Sequence, residues 1–246
     1  MNRDSNAYTF GFAAAMVVVV ASVLAFTASS LKDLQQENVR KEKMQNILAT
    51  IGIAIDRDGA EPLFNQYIVS QLALRNDGTI DNSVDPFSDI KLALELKKEP
   101  SQQRFPLYLA DVDGASYYII PLRGAGLWDA IWGYIALASD QNTIKGAVFD
   151  HKAETAGLGA EITQQWFMDR FVGEKVFDND RKLVGISVSK TNNDPKDLDK
   201  NDHEVDAISG ATITGDGVSD MIIERLTHYQ PYFEQNQTTT AVAVNP

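Results

Sequence analysis

A chain of 246 residues with 44% apolar side chains is long enough for one folded domain plus an appendage. Its formal net charge of −12 argues against nucleic acid as a partner, because phosphate backbones are bound by clustered Lys and Arg, and no run here is strongly basic. With no cysteine there is no disulfide, zinc–thiolate site or cysteine-ligated iron–sulfur cluster, and an extracytoplasmic location is permitted.

From Ser5 to Leu31 the chain has no charged residue and contains the run Phe10 to Phe26, rich in Val and Ala. That length predicts a membrane span over residues 6–31 behind a short tail at 1–5. A cleaved signal peptide is the alternative, since Ala25 to Ser30 is rich in small residues, but the apolar core exceeds a typical signal core. Arg3 precedes the span and Lys32, Arg40, Lys41 and Lys43 follow it, which by the positive-inside rule places the body in the cytoplasm. Leu34, Met44, Ile47, Leu48 and Ile51 recur among charged residues and predict a helical stalk over 32–54.

A domain is expected over 55–234. Ile55 to Pro62 breaks the helix, with a turn at Asp56 to Gly59, and the segment from Phe64 to Asp113 has turn signals but no clear elements. Pro106–Val112 and Ser116–Ile120 flank Asp113-Gly114 as a β-hairpin. Ile131–Ala138 and Gly146–Phe149 read as two more strands. The fold class is α+β: an N-terminal transmembrane helix, then one mostly antiparallel-sheet domain with packed helices, without the βα alternation of a doubly wound sheet. After His151–Gly159 an amphipathic run through Trp166 and Phe171 predicts a helix, and Leu183–Ser189 a strand leading into a polar loop from Lys190 to Glu204. Gln235 to Pro246 reads as a flexible tail.

In the polar loop, Asp197-x-Asp199-x-Asn201 matches the first ligands of a calcium-binding EF-hand loop, but Asp202 stands where Gly is needed and Ile208 where Glu is needed. It reads as a solvated acidic loop, and no metal site is predicted. His151, His203 and His228 lack ligand spacing and read as surface or hydrogen-bonded residues. Nucleophile elbow, P-loop and dinucleotide fingerprint are all missing, so no catalytic residue is assigned.

The most informative stretch runs from Asp206 to Thr214. Ser209, Gly210 and Ala211 are small enough for the backbone to lie flat against a bulky ligand, and Thr212 offers a hydroxyl. Val218, Met221, Ile222, Arg225 and Leu226 then follow helical spacing, with Thr214 as the expected N-cap. A hydroxyl near a helix N-terminus lies where unpaired N–H groups and the helix dipole favour phosphate. An ordinary glycine-bearing turn before a surface helix has the same local pattern.

Read together, Gly124 to Trp128, Glu154 to Gly159 and Asp206 to Thr214 resemble the FMN-binding domain family. With one N-terminal span and this length, the resemblance extends along essentially the whole chain to the C-type subunits of Na+-translocating NADH:quinone reductases. It implies FMN attached through its phosphate to Thr212, with Thr214 the rival by position. Asp206, Ser209, Gly210 and Ala211 would serve flavin binding or recognition by a separate flavin transferase. Glu154, Thr155, Gly157, Leu158 and Gly159, with Leu127 and Trp128, would flank the isoalloxazine ring. One departure is Ala156, where the family reads Pro.

The resemblance further implies an inner-membrane location with the flavin domain on the periplasmic side, against the charge count, and partner subunits of the reductase complex. Electrons would run from NADH through this FMN toward quinone, coupled to Na+ export. Two alternatives stay open: the G-type subunit of the related ferredoxin-linked electron-transport complex, which shares the covalent FMN, and a membrane-anchored binding domain without cofactor.

Overall fold

A computed structural model describes residues 5–194 and 198–242, with side chains to 236. It contains two compact units, Met1–Lys43 and Met44–Pro246. Helix α1 (Asn6–Thr50) contains both the apolar run and the stalk sequence. Its first part is long and apolar enough to cross a membrane and is unburied.

The second unit is built on an antiparallel sheet in the order β1 to β5: β1 (Ile68–Leu74), β2 (Phe105–Val112), β3 (Ala115–Ala125), β4 (Ala130–Leu137) and β5 (Ile144–His151). The β2–β3 hairpin turns at Asp113 and Gly114, both with positive φ, as the Asp-Gly signal requires. Strand β1, which the sequence pattern did not reveal, pairs with β2 after the short helix α2 (Ala60–Tyr67).

Neighbouring strand residues point to opposite faces, and both faces are covered. On one face Leu107, Ile120, Leu122, Ile131 and Ile135 pack with Val218, Met221 and Ile222 of the C-terminal helices. On the other, Tyr108, Ala110, Ile119 and Ala136 pack with Met44, Ile47 and Leu48 at the end of α1 and with Phe64 of α2. This explains why apolar runs such as Ile119-Ile120 are continuous: each residue serves a different layer.

Three expected elements differ. Residues 159–171 form a 3-10 turn (Gly159–Thr163), a single α-turn, and a second 3-10 turn (Asp169–Phe171) in place of one helix. Gln164 is extended (φ −79°, ψ 139°), and Ile162, Phe167 and Phe171 are buried, the two Phe rings closing on Phe149 of β5. Packing on β5 outweighs local helical periodicity. The 183–189 strand shrinks to Ser187–Val188, paired in parallel with Glu204–Val205, because Gly185 at φ +70° interrupts the extended run. The 235–246 segment is helical to Val242, within a helix Gln230–Val242, and residues 243–246 lie outside the described residues.

Candidate functional site

The helix that follows Gly210, Thr212–Thr227, is α5 by its place after the α3 turn (Leu92–Glu95) and the α4 turn (Gln165–Met168). It crosses the sheet near the end of β3 through small residues. A Cβ on Gly217 would collide with the Ala125 carbonyl, and one on Gly124 would meet the Cβ of Met221 at 2.7 Å. Glycine alone permits this approach. It brings the start of α5 beside the loop after β3 and the loop after β5.

A cavity of about 240 Å3 opens where these three segments meet, lined by Leu127, Glu154, Thr155, Leu158, Gly159, Gly210, Ala211, Thr212, Ile213 and Thr214. Its rim is apolar and exposed, with Ile213 at 58%, Leu127 at 47% and Leu158 at 41%. Its floor is polar. Glu154, only 7% exposed, accepts a hydrogen bond from the Trp128 backbone N–H at 2.9 Å and another from the Thr214 hydroxyl at 2.6 Å. Above it, the Trp128 indole N–H donates to the Thr155 hydroxyl at 3.2 Å. The Glu154 N–H in turn donates to Nδ1 of His151 at 3.2 Å, which gives that histidine a structural partner.

Two glycines make room for the carboxylate. A Cβ on Gly126 or Gly159 would strike a Glu154 side-chain oxygen. The family resemblance placed Gly159 beside the isoalloxazine ring, whereas in the structure Gly159, like Gly126, makes room for Glu154.

The two threonines are treated oppositely. Thr212 is the first residue of α5 and is exposed, and Ala211 at the N-cap offers no side-chain cap. First-turn amides of a helix have no intrahelical acceptor, so their N–H groups are free to face the cavity that Thr212, Ile213 and Thr214 line. Thr214, 1% exposed, has its hydroxyl committed to Glu154. Thr214 is therefore not the N-cap that the sequence predicts. Ala211 holds that place, and the third helical position turns inward.

Gly210 has φ +71°, and a Cβ there would meet Leu158 at 2.8 Å, so the turn before α5 closes onto the cavity wall. The 155–158 turn has the Leu158 N–H on the Thr155 carbonyl at 3.1 Å and Gly157 at φ +75°, which is a type II pattern with Ala156 in the position Pro favours.

Several expected site residues lie off the lining. Ser209, Gly157 and Trp128 are exposed beside it. Asp206 is 6% exposed and points elsewhere, 3.8 Å from Arg170, and it accepts the Asp194 N–H at 3.3 Å. Ile213 and Gly126, not singled out by the sequence, belong to the site; Ile213 was hidden as an ordinary helix residue, and Gly126 by the absence of any side chain. Asp197 of the acidic loop lies outside the described residues.

The sequence profile of the FMN-binding domain matches residues 126–227, which spans all three segments of the cavity. The C-type subunit of Na+-translocating NADH-quinone reductase from Vibrio vulnificus is 31% identical over 88% of this chain and 89% of its own. The chain belongs to the family of C-type subunits of Na+-translocating NADH-quinone reductases. The Pseudomonas aeruginosa member is 29% identical, over 90% of this chain and 91% of its own. The crystal structure of the Parabacteroides distasonis member shares 35% identity and superposes with a TM-score of 0.73, covering 82% of this chain and 96% of that one. The family's α+β architecture is thus the fold observed.

The residues present fit an FMN group. The cavity joins an apolar rim, where Leu127, Leu158 and Ile213 offer apolar surface to a ring, with the exposed indole of Trp128 beside it, to an exposed hydroxyl at a helix start, where phosphate is favoured.

Proposed function

We propose that the chain is the flavin-bearing electron-transfer subunit of a Na+-translocating NADH:quinone reductase, with FMN esterified through its phosphate to Thr212. The observation that carries this reading is the opposite exposure of two neighbouring hydroxyls in one cavity. Thr212 is open at the start of α5, and Thr214 is buried and bonded to Glu154. Bound FMN supplies reversible electron uptake, and the chain supplies a mount for it.

Each part of the mount has a separate task. Thr212 would hold FMN through a phosphoester on its side-chain oxygen, the adduct weighing one FMN less one water. The α5 amides and dipole offset the negative charge of the phosphodiester. Leu127, Trp128 and Leu158, exposed around the cavity, would pack against the ring and shed their own water on doing so. No proton donor or acceptor for a substrate is required, in keeping with a relay that passes electrons between cofactors of partner subunits.

The remaining assignments rest on the family: attachment by a flavin transferase, electron flow from NADH toward quinone, coupling to Na+ export, and a single-pass inner-membrane anchor in α1 with the flavin domain in the periplasm. The long apolar run of α1 supports the anchor. The sequences and fold of the reductase relatives favour this reading over a ferredoxin-linked complex.

Peptide mass spectrometry on the chain isolated from membranes of a host with an active flavin transferase tests it. The peptide containing Thr212 is expected to be heavier by one FMN less one water, with fragmentation placing the mass on Thr212. The Thr212→Ala protein is expected to be unmodified. An unmodified wild-type peptide beside an active transferase overturns the reading and leaves a membrane-anchored binding domain.

A further inference from the structure

Glu154 is the buried carboxylate among the residues that line the cavity. Its two carboxylate oxygens are divided between partners 26 and 60 positions away: one accepts the Trp128 N–H from the loop after β3, the other the Thr214 O–H from α5. It is buried, and Gly126 and Gly159 both lack the Cβ that would occupy its place. Four positions from three segments are thus arranged around one carboxylate. Neither hydrogen bond involves Thr212, so the geometry separates the point of attachment from the group that shapes the cavity.

We propose that Glu154 is a positioning residue which latches the Trp128 loop to the first turn of α5, so that the ring side of the flavin site is formed before any cofactor arrives. This rests on the flavin reading above and deepens it. A charged acceptor with two good donors is worth more than a neutral one, and its loss leaves the Trp128 N–H and Thr214 O–H without partners. The 126–129 turn would then keep its own Gly126 N–H to Asp129 carbonyl bond, but Leu127 and Trp128 would lose their register with Leu158. Attachment at Thr212 would persist, but the ring would be loosely held and wet.

The full chain is compared with its Glu154→Ala, Glu154→Gln and Thr214→Val variants, each prepared with and without an active flavin transferase. In the unloaded proteins, amide hydrogen exchange at Trp128 is expected to rise roughly ten- to a hundredfold in Glu154→Ala, the size set by losing a hydrogen bond to a charged group. Glu154→Gln can still accept the Trp128 N–H and donate to the Thr214 oxygen, so a partial rescue is expected. Thr214→Val keeps shape and removes one tie, and reports on the latch if Glu154→Ala does not fold. In the loaded proteins, intact mass is expected to show flavin on Glu154→Ala, with lower fluorescence anisotropy and stronger iodide quenching than wild type.

Trp128 exchange in folded Glu154→Ala within twofold of wild type overturns the latch, as does unchanged anisotropy and quenching. A loss of flavin mass from folded Glu154→Ala overturns the separation of latch from attachment. If wild type itself carries no flavin beside an active transferase, the functional reading fails, and the latch is decided by Trp128 exchange in the unloaded chain.

Discussion

Gly217 of α5 lies against the carbonyl oxygen of Ala125, at the end of β3, closer than any side chain would permit. Glycine inside a helix costs about 1 kcal/mol relative to Ala, and here close approach of helix and strand offsets that cost. Gly217→Ala therefore sets a small gain in helix propensity against a collision with backbone, which cannot rotate away. A net loss of about 1–3 kcal/mol is expected in urea unfolding. A variant as stable as wild type would show that α5 is free to shift outward.

The 155–158 turn makes the opposite prediction. Gly157 at φ +75° follows Ala156, and the Leu158 N–H closes on Thr155. Ala156→Pro places the ring where a type II turn accepts it and reduces the freedom of the unfolded chain. Stability should rise by about 0.4–1 kcal/mol. A fall in the thermal midpoint would mean that Thr155 cannot adopt the extended conformation Pro imposes on its predecessor.

Thr212 and Thr214 should separate cleanly in function and stability. Thr212→Ala removes an exposed hydroxyl and is expected to leave the urea midpoint nearly unchanged while abolishing flavin attachment. Thr214→Val deprives the buried Glu154 of a donor and is expected to cost about 1.5–3 kcal/mol, with flavin still on Thr212. Flavin mass retained in Thr212→Ala would contradict the assignment.

His228 provides a pH test away from the site. Its ring stacks on Phe105 with centroids 4.0 Å apart, and Nδ1 meets Asn76 Oδ1 at 3.1 Å. Burial, with the nearby Arg225 charge, holds its pKa down to about 4, below the ordinary value near 6.5. Between those values the unfolded chain binds a proton that the folded chain does not. The contribution is thus intact above pH 6.5 and is lost as pH falls toward 4, with a limiting slope of about one proton. His228→Phe keeps the stack and should flatten the pH dependence of the urea midpoint over that range. Equal slopes in both proteins would refute it.

The hairpin at Asp113-Gly114, the first half of β3, strand β4 and the long apolar helix were legible because each is set by neighbours in sequence: a turn that tolerates positive φ, an unbroken β-rich run, and a charge-free stretch of membrane length. The motif around Thr212 was legible for the same reason, since small residues before a helix have a local meaning. The helix expected through Trp166 and Phe171 failed because its apolar residues answer to Phe149 across space, with Gln164 extended between them. Strand β1 went unread because it has weak alternation and depends on β2 for its hydrogen bonds.

What the sequence by itself determined is the membrane-length helix, the antiparallel class and the short list of residues from which the site is drawn, all properties of contiguous residues. Only the tertiary structure decided which threonine is open and which is sealed, and that Glu154 faces inward to join Trp128 to Thr214. Those outcomes depend on Gly124, Gly126, Gly159 and Gly217 letting three distant segments approach. Close approach is a relation between segments, and no local pattern encodes it.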